Sequence, residues 1–440
     1  MSDPLAELVL RTLKAAEKEA PGAEVQVHAW NEGAANTRFA RNEITTAGDH
    51  EETGLAVHLA FGRRHARTQT NQTDGEQIRA LLRRAAAMAK LSPEDPERMP
   101  LLPPQRYAPA AASWDDEVAK LGAGERARIC GESLAMADEK KLQVAGFLRR
   151  SGNERVLGSS AGLAARYLST EVSLTVTART PDGTGSGWGG REAHRLGDLE
   201  ASSLPATAID KALRSAGARP LDPGKYTVVL EPQAVQEMLA YMVSEMDARS
   251  ADEGRSFFAH KLGERVFSPL CTLRSDPGDP LAPAAPFDDE GQPRRPMAWI
   301  EGGVVRALST SRYWAAKTGK EPTGRQGSFH LAGGTAGSID ELLKGITRGL
   351  LITRFWYTRM LEPKDVLLTG LTRDGVFLIE NGRVTRPISN FRYNESPINV
   401  LKKVDAMTRT TTRVPTYGGV WRVPALRTHE FTMASTSAAV

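Results

Sequence analysis

The chain has 440 residues, 40% of them hydrophobic and 25% charged. That is enough for two ordinary domains or one large α+β body, and it excludes a disordered tail protein and a fibrous repeat. Fifty-seven basic against 53 acidic residues leave a formal charge of +4, too slight and too dispersed to argue for nucleic-acid binding.

Two cysteines, Cys130 and Cys271, cannot make a disulfide framework or a multi-thiolate zinc site. The first residues carry Asp3, Glu7, Arg11 and Lys14 rather than a basic start and an apolar run, so no secretory signal is read there. No apolar run reaches the ~18–20 residues of a membrane span. The expectation is a soluble cytoplasmic protein with no membrane contact.

Leu5, Leu8, Val9, Leu13 and Ala16 recur at helical spacing and predict an opening helix that ends near Pro21-Gly22. The period then changes to two over 24–30, 53–61 and, less cleanly, 66–70, predicting antiparallel strands with turns around Gly33 and Gly62. Asp74 is placed to cap a helix carrying Ile78, Leu81, Leu82, Ala85 and Met88. Prolines 93, 96, 100, 103, 104 and 109 exclude helix and predict a surface strap.

Beyond the strap, helices are predicted over 124–139 and 198–217 and strands over 142–148 and 170–180. Arg219-Pro220 to Gly224 is the best boundary, followed by a strand at 225–231. The expected units are residues 1–91, a strap 92–113, a continuation 114–219 and a C-terminal domain 222–440. Prolines 277, 280, 283, 286, 293 and 296 predict a long surface loop. A hairpin is expected around Gly302-Gly303, and a three-stranded meander over 366–384 turning at Asp374-Gly375 and Asn381-Gly382. Pro397 suits the first turn of a helix over 398–404. The fold class is α+β, with an N-terminal helix and antiparallel-sheet domain and a β-rich C-terminal domain.

Few motifs carry chemistry. The eight histidines show no pair one turn apart with a glutamate, so no local metal motif exists. Gly185, Gly187 and Gly190 match a dinucleotide fingerprint, but no clean helix follows, and a flexible loop with an exposed Trp188 is the better reading. Cys130 near arginines reads as a helical core cysteine. Asp115-Asp116-Glu117 reads as a helix start and Asp288-Asp289-Glu290 as solvated loop. The segment 309–325 is different: Arg312, Tyr313 and Trp314 join aromatics and bases in an irregular stretch, as a binding surface does, unless the aromatics anchor a loop.

Ser309-Thr310-Ser311-Arg312-Tyr313-Trp314-Ala315-Ala316-Lys317-Thr318-Gly319 and the strings 372–382 and 390–397 resemble the C-terminal half of the TldD/PmbA family. Residues 38–44 and 54–60 are similar to its N-terminal domain. The resemblance implies one of two branches. TldD-like chains carry a His-Glu-x-x-x-His helix and a later cysteine that hold a catalytic metal; TldE (PmbA)-like chains lack them and pair with a TldD-like partner. Aligned on Ser256-Phe257-Phe258 and Leu262 to Val266, the motif's His-Glu falls on Leu239-Ala240 and its second histidine on Ser244. The cysteine falls near Tyr417-Gly418. The ending 421–427 also resembles the TldE side.

The resemblance thus implies a non-catalytic subunit of a heterodimer that hydrolyses unstructured peptides. This chain would hold no cofactor, with zinc in the TldD-like partner. Arg312, Tyr313, Trp314, Arg373 and Asp374 are its candidates for touching partner or peptide. Two alternatives stay open: a self-sufficient metal peptidase using dispersed ligands such as His260, His330 or His429, and a regulatory homodimer without peptidase activity.

Overall fold

The computed structural model describes residues 3–416 and 418–437. Asp3 caps α1 (Pro4–Glu19), accepting from the amides of Leu5 and Ala6, and Pro4 sits in the first turn, where its missing N–H costs nothing. β1 (Glu24–Ala40) and β2 (Glu43–Phe61) form one long hairpin turning at Arg41-Asn42, both at positive φ. Gly33, expected in a turn, instead lies within β1 opposite Glu51, while the turn at Gly62 is present. β3 (Arg64–Thr70) and α2 (Gly75–Leu91) follow, with Asp74 capping α2 as predicted.

Residues 92–115 run without regular structure to α3 (Asp116–Ala119) and α4 (Ala123–Glu139). Then come β4 (Gln143–Ser159), β5 (Ala164–Arg179), β6 (Ser186–Ala193) and α5 (Ser203–Ser215). The six strands make one antiparallel sheet ordered β3-β2-β1-β4-β5-β6. Segments on either side of the strap therefore share a single sheet. α1 and α2 bury their apolar faces on β1 and β2, and α4 and α5 bury theirs on β4 to β6; each buried Leu or Val is worth about 1.5–3 kcal/mol.

The glycine-rich stretch is not a loop. It is the edge strand β6, and Trp188 is only 7% exposed. A Cβ on Gly185, Gly187 or Gly189 would stand 2.3, 2.2 or 2.5 Å from the carbonyl oxygens of Ala212, Ala208 and Leu204. The glycines let α5 lie directly on the strand.

The remaining chain opens with β7 (Gly224–Leu230), α6 (Pro232–Ser244) and α7 (Ala248–Asp252), then β8 (Thr272–Ser275), β9 (Met297–Glu301) and β10 (Val304–Val305). α8 (Arg312–Thr318), β11 (Ser328–Ala332) and α9 (Ile339–Leu343) follow, before β12 (Arg348–Glu362), β13 (Leu367–Glu380), β14 (Arg383–Pro387) and β15 (Phe391–Glu395). The last elements are α10 (Pro397–Lys402), β16 (Val404–Met407), β17 (Thr412–Arg413), β18 (Val420–Val423) and β19 (Leu426–Thr436).

Strands β12, β7, β19, β15 and β13 pair in that order, and β13 pairs back to β12, so they close a five-stranded ring. Only the β7–β12 pairing is parallel. Phe355, Tyr393 and Phe431 cluster in the core, with centroids 4.4 and 5.8 Å from Phe355. A second sheet, β10-β9-β8-β11-β18-β17, shares that core through α6.

Two expectations change here. Asp374-Gly375 does not turn a hairpin: β13 runs through it, with one extra residue bulged out against β12. Positive φ at both residues (55° and 122°) suits a bulge as well as a turn. The proline-rich segment is not a free surface loop either, since Ala282, Ala284 and Phe287 are buried. The hairpins at Gly302-Gly303 and Asn381-Gly382 and the helix begun by Pro397 stand as predicted. Among the described residues, no helix is long and apolar enough to cross a membrane.

Candidate functional site

α6 starts on Pro232 and buries Val235, Met238, Leu239 and Met242. Its opposite side, with Ala240, Val243 and Ser244, faces a cleft of about 1060 Å³ between the first sheet and the second. Of the three aligned motif positions, then, Ala240 and Ser244 reach the cleft, while Leu239 is 1% exposed in the core. Ser244 spends its hydroxyl on the carbonyl of Tyr241 at 2.7 Å. Gly418 lines the same cleft, and Tyr417 lies outside the described residues.

The floor is aromatic. Phe329 stacks on Trp421 at 4.8 Å and lies 6.5 Å from Trp299, and all three line the cleft. Trp299 is oriented by its indole N–H, which donates to Ser275 Oγ at 2.7 Å. Sequence reading missed Trp299 and Phe329 as cleft residues: isolated aromatics in short strands read as core.

One wall is the proline-rich segment, folded inward. Asp288 is 9% exposed and accepts from the amides of Glu290, Gln292 and Arg325 at 2.9–3.0 Å. The acidic triplet read as solvated loop is thus in part a buried turn. Arg312 donates to Glu290 Oε2 at 2.9 Å and to the carbonyl of Pro100 at 2.6 Å, so it locks this wall to the strap. Tyr107 on the strap adds a bond to the carbonyl of Gly291 at 2.9 Å and a tilted contact with Phe287.

Another wall forms where β17 of the second sheet meets β5 and β6 of the first. Arg413 on β17 donates through Nε and Nη2 to Glu192 Oε1 at 3.1 and 3.0 Å, with Glu171 Oε2 at 3.9 Å. Burial and the neighbouring Glu171 push the Glu192 carboxyl up to about 7, although Arg413 opposes them. His194, 3% exposed, is held below its ordinary value by burial and then by the Arg413 charge. No sequence signal marked this group, because Arg413, which joins it, lies 221 positions from Glu192.

The other candidates separate. Segment 309–325 is not irregular throughout: Ser311 caps α8 through the amide of Trp314. Trp314 is 6% exposed, and its indole N–H donates to Asp252 Oδ2 at 2.7 Å. Arg249 and Lys317 lie over its ring at 5.4 and 4.7 Å. It anchors its segment and presents little surface. Tyr313 is half-buried on α8, and only Arg312 of the three lines the cleft. Arg373 and Asp374 lie at the β13 bulge against β6, where Arg373 covers Trp356 at 4.8 Å.

The histidines do not converge. His330 meets Arg422 at 3.0 Å, and burial and that charge lower it to about 4. His429 bonds Thr227 at 3.0 Å and Asp405 at 2.9 Å, and His260 is exposed. Among the described residues, no three His, Cys, Asp or Glu side chains are grouped to hold a metal. Leucine, alanine and an engaged serine hydroxyl are not a zinc donor set. Cys130 and Cys271 are buried free thiols, pushed up by burial to about 11 and 12, which makes both poor nucleophiles.

Three family models match in sequence along the chain. PmbA/TldA metallopeptidase domain 1 covers 34–89, the central domain 112–216 and the C-terminal domain 223–435. A metalloprotease of Methanothermobacter thermautotrophicus is 26% identical over 274 residues, 57% of this chain and 58% of that protein. A metalloprotease TldD homolog of Haemophilus influenzae is 25% identical over 226 residues, 47% of this chain and 46% of that protein. The chain thus spans about half the length of the curated relatives it matches. In structure it is similar to TldE from Thermococcus kodakarensis, with a TM-score of 0.89 at 19% identity, covering 97% of this chain and 100% of that one.

Proposed function

Because the chain belongs to the PmbA/TldD metallopeptidase family, we propose that it is a TldE-like subunit without a metal centre of its own, in a heteromeric peptidase whose TldD-like subunit carries the zinc. The observation that carries this reading is the donor set on α6. Where the resemblance aligns His, Glu and His, the chain has Leu239 in the core, Ala240 with no donor, and Ser244 bonded to Tyr241. Zinc needs imidazole, thiolate or carboxylate, and water activation needs a base beside it.

The role left to the chain is to form the wall of a peptide chamber and to meet the partner. The cleft has a three-ring floor, and Gly324, Gly327, Gly418 and Gly419 on its rim carry no side chain to obstruct a guest chain. An extended peptide docking there gains main-chain hydrogen bonds without demanding one sequence. We place the protein in the cytoplasm, in keeping with its two unpaired cysteines.

The test is a peptidase assay on an unfolded peptide, with this chain alone and then mixed with the TldD-like protein of the same organism. Silence alone and chelator-sensitive cleavage on mixing are expected. Chelator-sensitive cleavage by the chain alone would overturn the reading.

A further inference from the structure

We propose that the cleft wall made by Arg413 and His194 is a clamp for one neutral amide group of a bound peptide, either a main-chain peptide unit or an Asn or Gln carboxamide. This deepens the peptide-chamber reading and rests on it for the identity of the ligand.

The observation is a pair of orphaned polar atoms. Arg413 satisfies Nε and Nη2 on Glu192, but its Nη1 has no acceptor. His194 Nε2 has no partner either. Both side chains are more than nine-tenths buried, at 8% exposure for the Arg413 side chain and 3% for His194. Of the residues with buried, unpartnered side-chain atoms among those described, these two alone line the cleft. An unmet buried polar group is destabilising, so native folds keep few of them without a use.

The chemistry of the missing group follows from charge. Arg413 already faces two carboxylates, Glu192 at 3.0 Å and Glu171 at 3.9 Å. A ligand carboxylate would bring a third anion to one cation in a site where burial already disfavours ionised Glu192. A ligand cation would meet the Arg413 guanidinium. A neutral amide adds no charge and brings both complements: its oxygen accepts from Arg413 Nη1, and its N–H donates to His194 Nε2 when the imidazole proton is on Nδ1. His194 is positioned for this by its backbone, whose carbonyl accepts from Thr170 Oγ1 at 2.8 Å. Its lowered proton affinity keeps the ring neutral at pH 7.

The experiment uses the full chain with ¹⁵N-labelled histidine and tryptophan and follows the His194 ring nitrogens and the Trp421 indole by NMR. The probes are acetyl-trialanine amide, acetyl-trialanine with a free carboxylate, and sodium acetate. The expected result is a saturable shift of His194 Nε2 with the amide peptide and none with acetate. His194→Phe, which keeps the ring volume, should weaken amide-peptide binding about tenfold, equivalent to one lost hydrogen bond. Arg413→Lys keeps the ion pair with Glu192, removes the second arm of the fork, and should weaken binding similarly if His194→Phe fails to fold.

Saturation by acetate at His194 would make this an anion site and overturn the clamp. Amide-peptide binding that shifts the Trp421 indole but leaves His194 unmoved would overturn it and leave the peptide-chamber reading intact. No peptide binding anywhere in the cleft would overturn it too, and the mixed-subunit assay then decides the wider reading separately.

Discussion

Ser186 Oγ donates a 2.6 Å hydrogen bond to Asp374 Oδ1, joining the edge strand of the first sheet to the bulge in β13. Both residues are buried. Around this bond, Arg354 lies over Trp188 at 4.9 Å and reaches Asp374 at 3.9 Å. The two halves of the chain therefore meet through a small polar centre roofed by aromatic rings. Ser186→Ala would leave a buried carboxylate oxygen short of a donor. A loss of about 1–3 kcal/mol is expected, read as a lower urea midpoint at unchanged slope; an unchanged midpoint would count against the contact.

The glycines of β6 give a second prediction. Gly187→Ala drives a methyl into the Ala208 carbonyl, which belongs to a helix backbone and cannot rotate away. About 1–3 kcal/mol or more is expected, from overpacking. Gly183→Ala, in open space at φ 72°, pays only backbone strain of about 1 kcal/mol. Thermal unfolding of the two variants should rank them in that order, and equal midpoints would contradict the packing role.

The aligned motif positions on α6 should not tolerate histidine equally. Leu239→His replaces a core side chain at 1% exposure with a polar ring that has no partner, and should cost about 2–5 kcal/mol. Ser244→His points into the cleft and should cost under about 1 kcal/mol. Circular dichroism melts of both variants test this. A stable Leu239→His protein would mean that α6 can rotate toward the cleft.

Glu237 supplies the pH prediction. Its Oε2 accepts from the amide of Phe355 at 2.6 Å, and burial pushes its carboxyl up to about 7 despite Arg354. The folded state thus holds the proton more tightly than the unfolded chain. The stabilisation from protonated Glu237 is full below about pH 4.5 and is lost as pH rises toward 7, by roughly 3 kcal/mol at most. His28, His58 and His330, each lowered to about 4, act in the opposite sense, so whole-protein curves will not isolate the effect. The difference between Glu237→Gln and the parent should: the variant gains relative stability from pH 4.5 to 7. A flat difference would show that Glu237 titrates normally.

Much of this molecule was legible in its sequence wherever a signal is local. Asp74 capping α2, the Asn381-Gly382 hairpin and Pro397 opening α10 each depend on two or three neighbouring residues. What failed was the choice between two uses of one local conformation. Asp374-Gly375 has the positive φ of a turn, but the chain runs on because β12 pairs on both sides of it. The β6 glycines resemble a loop until α5, some 20 residues on, lies against them. The cleft was the least legible part. Arg413 meets Glu192 and His194 only because β17 of the second sheet packs against β6 of the first, more than 200 positions away, and no spacing rule reaches that far.

The five-stranded ring sets an order on biosynthesis. β19 lies between β7 and β15, so the ring cannot close until residues 426–436 have left the ribosome, nearly 200 residues after β7. Through that interval β7 and β15 carry unpaired edges of the kind that recruits other nascent chains. Holding those edges until the last strand arrives is a task for a chaperone, and cells short of one should accumulate this protein as insoluble, full-length chain.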